Sequence, residues 1–147
     1  MFKKILLPLD GSNLSARAIR QGVAFAREAQ ASLVAFHAAP AYHDVVFEGF
    51  VPPDYMAPDR LKEATERRAR RVLAPAEKAC ARAGVACETR FVVHDSPYEA
   101  IIAAAKKHRC DLIVMASHGR RGLSGLLLGS ETTKVLTHAR LPVLVLR

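Results

Sequence analysis

The chain has 147 residues, with 22 Lys and Arg against 14 Asp and Glu, a net charge of +8 and a pI near 9.9. Half of the residues are hydrophobic and 24% are charged, a balance that excludes a disordered chain and fits one domain, residues 1–147, able to bury its own core. No apolar run approaches the roughly 20 residues that span a bilayer, and the run behind Lys3 and Lys4 is too short, and interrupted by Pro8, for a secretory leader.

Lys3 to Leu9 is a short aliphatic run suited to a buried strand. Asp10-Gly11-Ser12 is a turn, with Ser12 placed to cap the next helix through its hydroxyl. Ala16, Ile19, Val23 and Ala26 recur at spacings of three and four, the mark of an amphipathic helix. Ser32 to Ala38 reads as a second strand.

Pro40 to Pro58 holds four prolines, four aromatics and three acids, with no Lys or Arg. It reads as a long loop, and a surface insertion, a lid and a dimer contact are all open for it. Asp59 to Ala83 is a long helix in which Glu63/Arg67 and Glu66/Arg70 pair on the wet face. Pro75 should kink or break it, and Gly84 should end it.

Val85 to Val93 contains a third strand. Ser96-Pro97-Tyr98-Glu99 has the form of a capping box, opening a helix that runs to about His108. Asp111 to Ala116 and Leu141 to Leu146 are the fourth and fifth strands, with a glycine-rich loop and a short helix near Ser130 to His138 between them. Strands alternating with amphipathic helices imply an α/β fold, a parallel sheet covered on both faces. Aromatics are only 6% and Trp is absent, so aliphatic side chains must fill the core. Cys80, Cys87 and Cys110 fit no zinc or CxxC spacing. They read as structural thiols in a reducing compartment.

The most informative stretch is Ala116 to Thr133, with glycines at 119, 122, 125 and 129. It leaves a buried strand and enters a helix. Glycines let backbone N–H groups approach an anion, and the helix start adds partial positive charge. Ser130, Thr132 and Thr133 add hydroxyls, and Arg120 and Arg121 add charge. The same glycines also fit a plain turn. The spacing matches neither a Walker A loop nor the dinucleotide fingerprint. With strand order 3-2-1-4-5, Asp10 at the end of strand one and the loop after strand four would face each other across the switch-point crevice.

Leu7-Pro8-Leu9-Asp10-Gly11-Ser12, the strand Asp111 to Met115, Ser117-His118-Gly119, Gly129-Ser130 and Pro142 to Val145 together resemble the universal stress protein family. The resemblance covers essentially the whole chain. It implies an open five-stranded parallel sheet of order 3-2-1-4-5, Rossmann-like and similar to the adenine-nucleotide alpha-hydrolases. Nucleotide-binding members carry Gly-x2-Gly-x9-Gly-Ser/Thr. Gly119, Gly129 and Ser130 match that pattern, and Ala116 stands at the first glycine.

The resemblance implies that Asp10, Ala38 and Met115 line the adenine and ribose end. Ser117, His118, Gly119, Gly129, Ser130 and Thr132 would hold phosphates, and Pro8, Leu9, Ala116, Arg120 and Glu131 complete the set. A Glu131 carboxylate beside phosphates would repel them unless it points away or shares a divalent cation with them. The implied ligand is ATP or a related adenine nucleotide, with Mg²⁺ or Mn²⁺ held through the phosphates. The implied protein is a cytoplasmic sensor or adaptor with slow hydrolysis at most, homodimeric through Val143–Leu146.

Two other classes compete. One is a dimeric stress-response interaction protein with an empty cleft, motivated by Ala116 and Glu131. The other is a nucleic-acid binder using Arg67, Arg68, Arg70 and Arg71. Those arginines interleave with acids and lack stacking aromatics, so a solvated helix face is the simpler reading. A Ser117–His118 hydrolase dyad is disfavoured, because neighbouring side chains leaving a strand point to opposite faces and no orienting acid is evident. His37, ending an apolar strand, reads as a hydrogen-bonded structural histidine.

Overall fold

Aliphatic residues fill both faces of the central strands, which requires a sheet covered by helices on each side. The structure, a computed structural model, describes residues 1–40, 58–118 and 128–147. Its elements are β1 (Lys4–Pro8), α1 (Asn13–Glu28), β2 (Ser32–Ala39), α2 (Pro58–Ala83), β3 (Cys87–Val93), α3 (Pro97–Lys107), β4 (Leu112–Ala116), α4 (Ser130–His138) and β5 (Val143–Leu146). The strands pair in parallel in the order β3-β2-β1-β4-β5, as expected. The loop expected between Pro40 and Pro58 falls on residues 41–57, outside the described residues, as do Gly119 and Arg120.

Strand periodicity sorts the core into two layers. Ile5, Leu7, Leu33, Ala35, Leu112 and Val114 face α1 and α2, where they meet Ile19, Val23, Leu73 and Ala76. Leu6, Val34, Phe36, Ile113 and Met115 face α3 and α4, where they meet Ile101, Ala104 and Val135. Ile5, Leu6 and Leu7 of β1 are all 0% exposed, as are Leu33, Val34 and Ala35 of β2, so both strands are buried from both sides. Each such side chain stabilises the fold by about 1.5–3 kcal/mol relative to exposure.

Several local expectations change. Pro75 lies inside α2 without breaking it. The ring removes only the bond to the Arg71 carbonyl, while Leu73 and Ala76 on either side remain buried against the core. β5 begins at Val143, after Pro142, whose carbonyl accepts from the Ile113 amide at 3.0 Å. Gly84 does end α2: its φ of +68° suits glycine, and Val85 N–H returns to the Cys80 carbonyl at 3.0 Å.

The cysteines are all free thiols. Burial pushes Cys110 up to about 11. Cys80 is raised by its hydrogen bond to Cys87, which is correspondingly lowered. Among the described residues, no helix is long and apolar enough to cross a membrane.

Candidate functional site

The carboxyl ends of β1, β2 and β4 meet the start of α4 at one edge of the sheet. Pro8 is level with Phe36, and Leu6 with Ile113. Continuing that register puts Asp10, Ala38 and Ser117 at one level, just beyond the core. Ala38 and Met115 lie on the layer that faces α3 and α4.

Asp10 turns its carboxylate into its own chain. Oδ1 accepts from the Ser12 amide at 2.9 Å and from the Ser15 hydroxyl at 3.0 Å. Ser12, expected to cap α1, makes no side-chain cap bond, and its hydroxyl is buried without a partner. A carboxylate is the stronger acceptor for an amide at a helix start, which explains the exchange of roles. Gly11, between them, has φ +78°, and a Cβ there would lie 2.9 Å from Val72 Cγ2 of α2. The turn therefore requires glycine both for its backbone and for close packing.

His37 is 4% exposed, and its Nδ1 lies 2.8 Å from the Leu9 carbonyl. A carbonyl only accepts, so Nδ1 carries the proton. The structural role expected of His37 holds, and with the Leu9 amide donating to the Phe36 carbonyl at 2.7 Å it ties the ends of β1 and β2 together.

Ser117 and His118 depart from expectation. The Ser117 hydroxyl and His118 Nδ1 are 3.0 Å apart, not on opposite faces. β4 ends at Ala116, so strict alternation no longer applies to the next pair.

Two bonds anchor the start of α4 to the end of β4, and a third ties that end to β5. Gly129 N–H donates to the Ser117 carbonyl at 2.8 Å, the Thr132 hydroxyl donates to the Ala116 carbonyl at 3.0 Å, and Ser117 N–H donates to Leu146 of β5 at 2.8 Å. Thr132 is 3% exposed, so its hydroxyl proton is committed to the strand. The first intrahelical bond runs from Thr133 N–H to the Gly129 carbonyl at 2.9 Å. The amides of Ser130, Glu131 and Thr132 have no acceptor within the helix, the usual condition of a first turn. Gly129 itself has φ −59° and ψ 149°, which any residue adopts.

Glu131 is directed toward α3. Its Oε2 accepts from the Tyr98 amide at 2.9 Å, and its Oε1 accepts from Lys134 Nζ at 2.9 Å. The carboxylate raises the Lys134 ammonium above its ordinary value. The capping box expected at Ser96 and Glu99 does not form: Ser96 makes no side-chain cap bond, and Glu99 accepts from the Tyr98 hydroxyl at 2.9 Å. Pro97 offers no N–H, so Tyr98 carries the first free amide of α3, and Glu131 takes it from 33 residues away in sequence. Sequence reasoning missed this link because a cap supplied by another element leaves no local spacing signal.

On α2, the expected pairs form at 3.8 Å for Glu63 and Arg67 and 4.0 Å for Glu66 and Arg70, all on an exposed face.

Comparison with known proteins places this geometry. The model of the universal stress protein family matches residues 1–147. A universal stress protein from the QAH/OAS sulfhydrylase 3′ region of Thermus aquaticus is 37% identical over 147 residues, covering 100% of both chains. The solved structure of the hypothetical protein MJ0577 of Methanocaldococcus jannaschii superposes with a TM-score of 0.81 at 29% identity, over 99% of this chain and 96% of that one. A universal stress protein solved in complex with cAMP superposes with a TM-score of 0.72 at 25% identity, over 99% and 97%.

Proposed function

The chain belongs to the universal stress protein family, and from that premise we propose that it binds an adenine nucleotide, ATP first, at the carboxyl edge of the sheet and acts as a nucleotide-dependent sensor or adaptor. The observation that carries the reading is the direction of Glu131. Its carboxylate is engaged with Tyr98 and Lys134, so it does not oppose phosphates at the amides of Ser130, Glu131 and Thr132. Oriented amides at a helix start suit a phosphate without any cationic side chain. The relative that binds cAMP supports the ligand class.

In this reading Pro8, Leu9, Asp10, Ala38 and Met115 take the base and ribose. Ala116, Ser117, His118, Gly119, Arg120, Gly129, Ser130, Glu131 and Thr132 surround the phosphates. Thr132 serves through its amide, because its hydroxyl proton goes to Ala116. A divalent cation would be held through the phosphates. The protein works in the cytoplasm as a homodimer, pairing β5 of two copies. Among the described residues β5 pairs only with β4 and has no strand on its outer side, and such an aliphatic edge invites a partner strand.

The test is to purify the protein, denature it and chromatograph the supernatant for nucleotide, with a thermal-shift titration by ATP and Mg²⁺ beside it. Released adenine nucleotide or a saturable rise in Tm is expected. No nucleotide together with no shift overturns the reading and favours an interaction protein with an empty cleft. Ala116, in place of the first glycine of the pattern, is the residue that favours that second reading.

A further inference from the structure

The four arginines at 67, 68, 70 and 71 look like one cluster in sequence, but the fold divides them. Arg67 and Arg70 pair with Glu63 and Glu66. Arg68 and Arg71 make no ion pair among the described residues. They line a cavity of about 280 Å³ between α2 and the beginning of α1. Its other walls include Ser12, Ile19, Val72 and Pro75. The Ser12 hydroxyl oxygen is closed off from solvent and has no hydrogen-bond partner among the described residues. Asp10, one turn away, has its Oδ1 engaged by the Ser12 amide and the Ser15 hydroxyl. The first turn of α1 contains no acidic side chain.

From this arrangement we propose that the α1–α2 groove is a second anion site, separate from the α4 start, which takes a small organic phosphate with an apolar body. Two guanidinium groups one turn apart on a helix can hold one phosphate by charge-assisted hydrogen bonds. Ile19, Val72 and Pro75 supply an apolar wall for the rest of the molecule, as in most small-molecule sites. A plain inorganic ion would leave that wall unused, so the organic ester binds more tightly.

The experiment uses the full chain labelled with ¹⁵N and phenyl phosphate as the probe, at low ionic strength. Saturable shifts are expected at the amides of Ser12, Ala16 and Ile19 and at the Nε of Arg68 and Arg71. Inorganic phosphate should bind more weakly at the same positions. The R68Q/R71Q variant keeps helix-forming residues on an outer face and should lose roughly tenfold or more in affinity.

Shifts confined to residues 129–132, no saturation into the millimolar range, or equal binding by R68Q/R71Q each overturn the proposal. A G129D variant separates the two sites: it should leave the groove signals unchanged. Failure at the groove leaves the nucleotide reading standing, and failure of nucleotide binding leaves the groove standing.

Discussion

Helices α1 and α4 both begin at the carboxyl edge of the sheet, and they satisfy their starts in opposite ways. α1 supplies its own anion: Asp10 takes the Ser12 amide and the Ser15 hydroxyl. α4 has a carboxylate in its first turn too, but Glu131 is spent on the start of α3. Among the described residues nothing accepts from the amides of Ser130, Glu131 and Thr132, and in the proposed reading they take an anion from outside the chain. The comparison teaches that an acidic residue in a first turn does not tell which helix start it serves. At α1 an external anion has to be held by side chains, those of Arg68 and Arg71. At α4 it can be held by the backbone. Backbone donors are fixed in place by β4, whereas exposed guanidinium groups are adaptable and more sensitive to salt.

The largest expected effect comes from breaking the open start. Gly129→Asp places a carboxylate at the cap of α4. About 5 Å from a phosphate charge, it costs about 3 kcal/mol at an effective dielectric of roughly 20. ATP affinity measured by calorimetry should fall on the order of a hundredfold. The fold should survive, because the backbone at Gly129 is open to any residue and Asp is a good cap. Unchanged affinity would remove the α4 start from the site.

Next comes the closed start. Asp10→Ala leaves the buried Ser15 hydroxyl without its acceptor and should lower stability by about 1–2 kcal/mol in urea denaturation. Ser12→Ala should change it by less than about 0.5 kcal/mol, although the sequence offers Ser12 as a cap beside Asp10. Equal losses would show that the two residues share the role.

Glu131→Ala sharpens the contrast from the other side. It removes the acceptor of the Tyr98 amide and should cost about 1 kcal/mol, while leaving nucleotide affinity unchanged or improved. A marked loss of affinity would make Glu131 a ligand, with a shared cation as the explanation.

The smallest effect is a pH slope away from both starts. Burial, with Arg90 nearby, lowers His108 at the end of α3 below its ordinary value of 6.5. The folded state then binds a proton less readily than the unfolded chain. The stability His108 contributes is present above 6.5 and is lost as the pH falls through its lower folded value. His108→Gln should flatten the stability profile in that window. An unchanged profile would assign the slope to other groups, such as Glu88, which Lys4 holds below the usual carboxylate range.

The order of elements and the covered parallel sheet were legible because burial imposes a period on the residues themselves, whereas the strand order and the family rested on the resemblance carried by the motifs at 7–12, 111–119, 129–130 and 142–145. Ile5 and Leu7 face one layer and Leu6 the other, whatever else the chain does. The motif at Gly129-Ser130 was legible because adjacent residues build the turn. Who caps whom was not legible. Ser12, Ser96 and Glu99 have the local form of caps, yet the work is done by Asp10, whose place at the turn into α1 also allows capping, and by Glu131, which no local spacing marks.

The sequence by itself determined the parallel sheet and its two aliphatic layers, because those depend on side-chain period, and its ordered motifs carried the family resemblance. Only the tertiary structure decided the direction of Glu131, the pairing of Ser117 with His118 and the division of the arginine cluster. Each of those depends on contacts set by the packing of whole elements. A carboxylate goes to the nearest unsatisfied donor in space, and for Glu131 that donor lies 33 residues away along the chain.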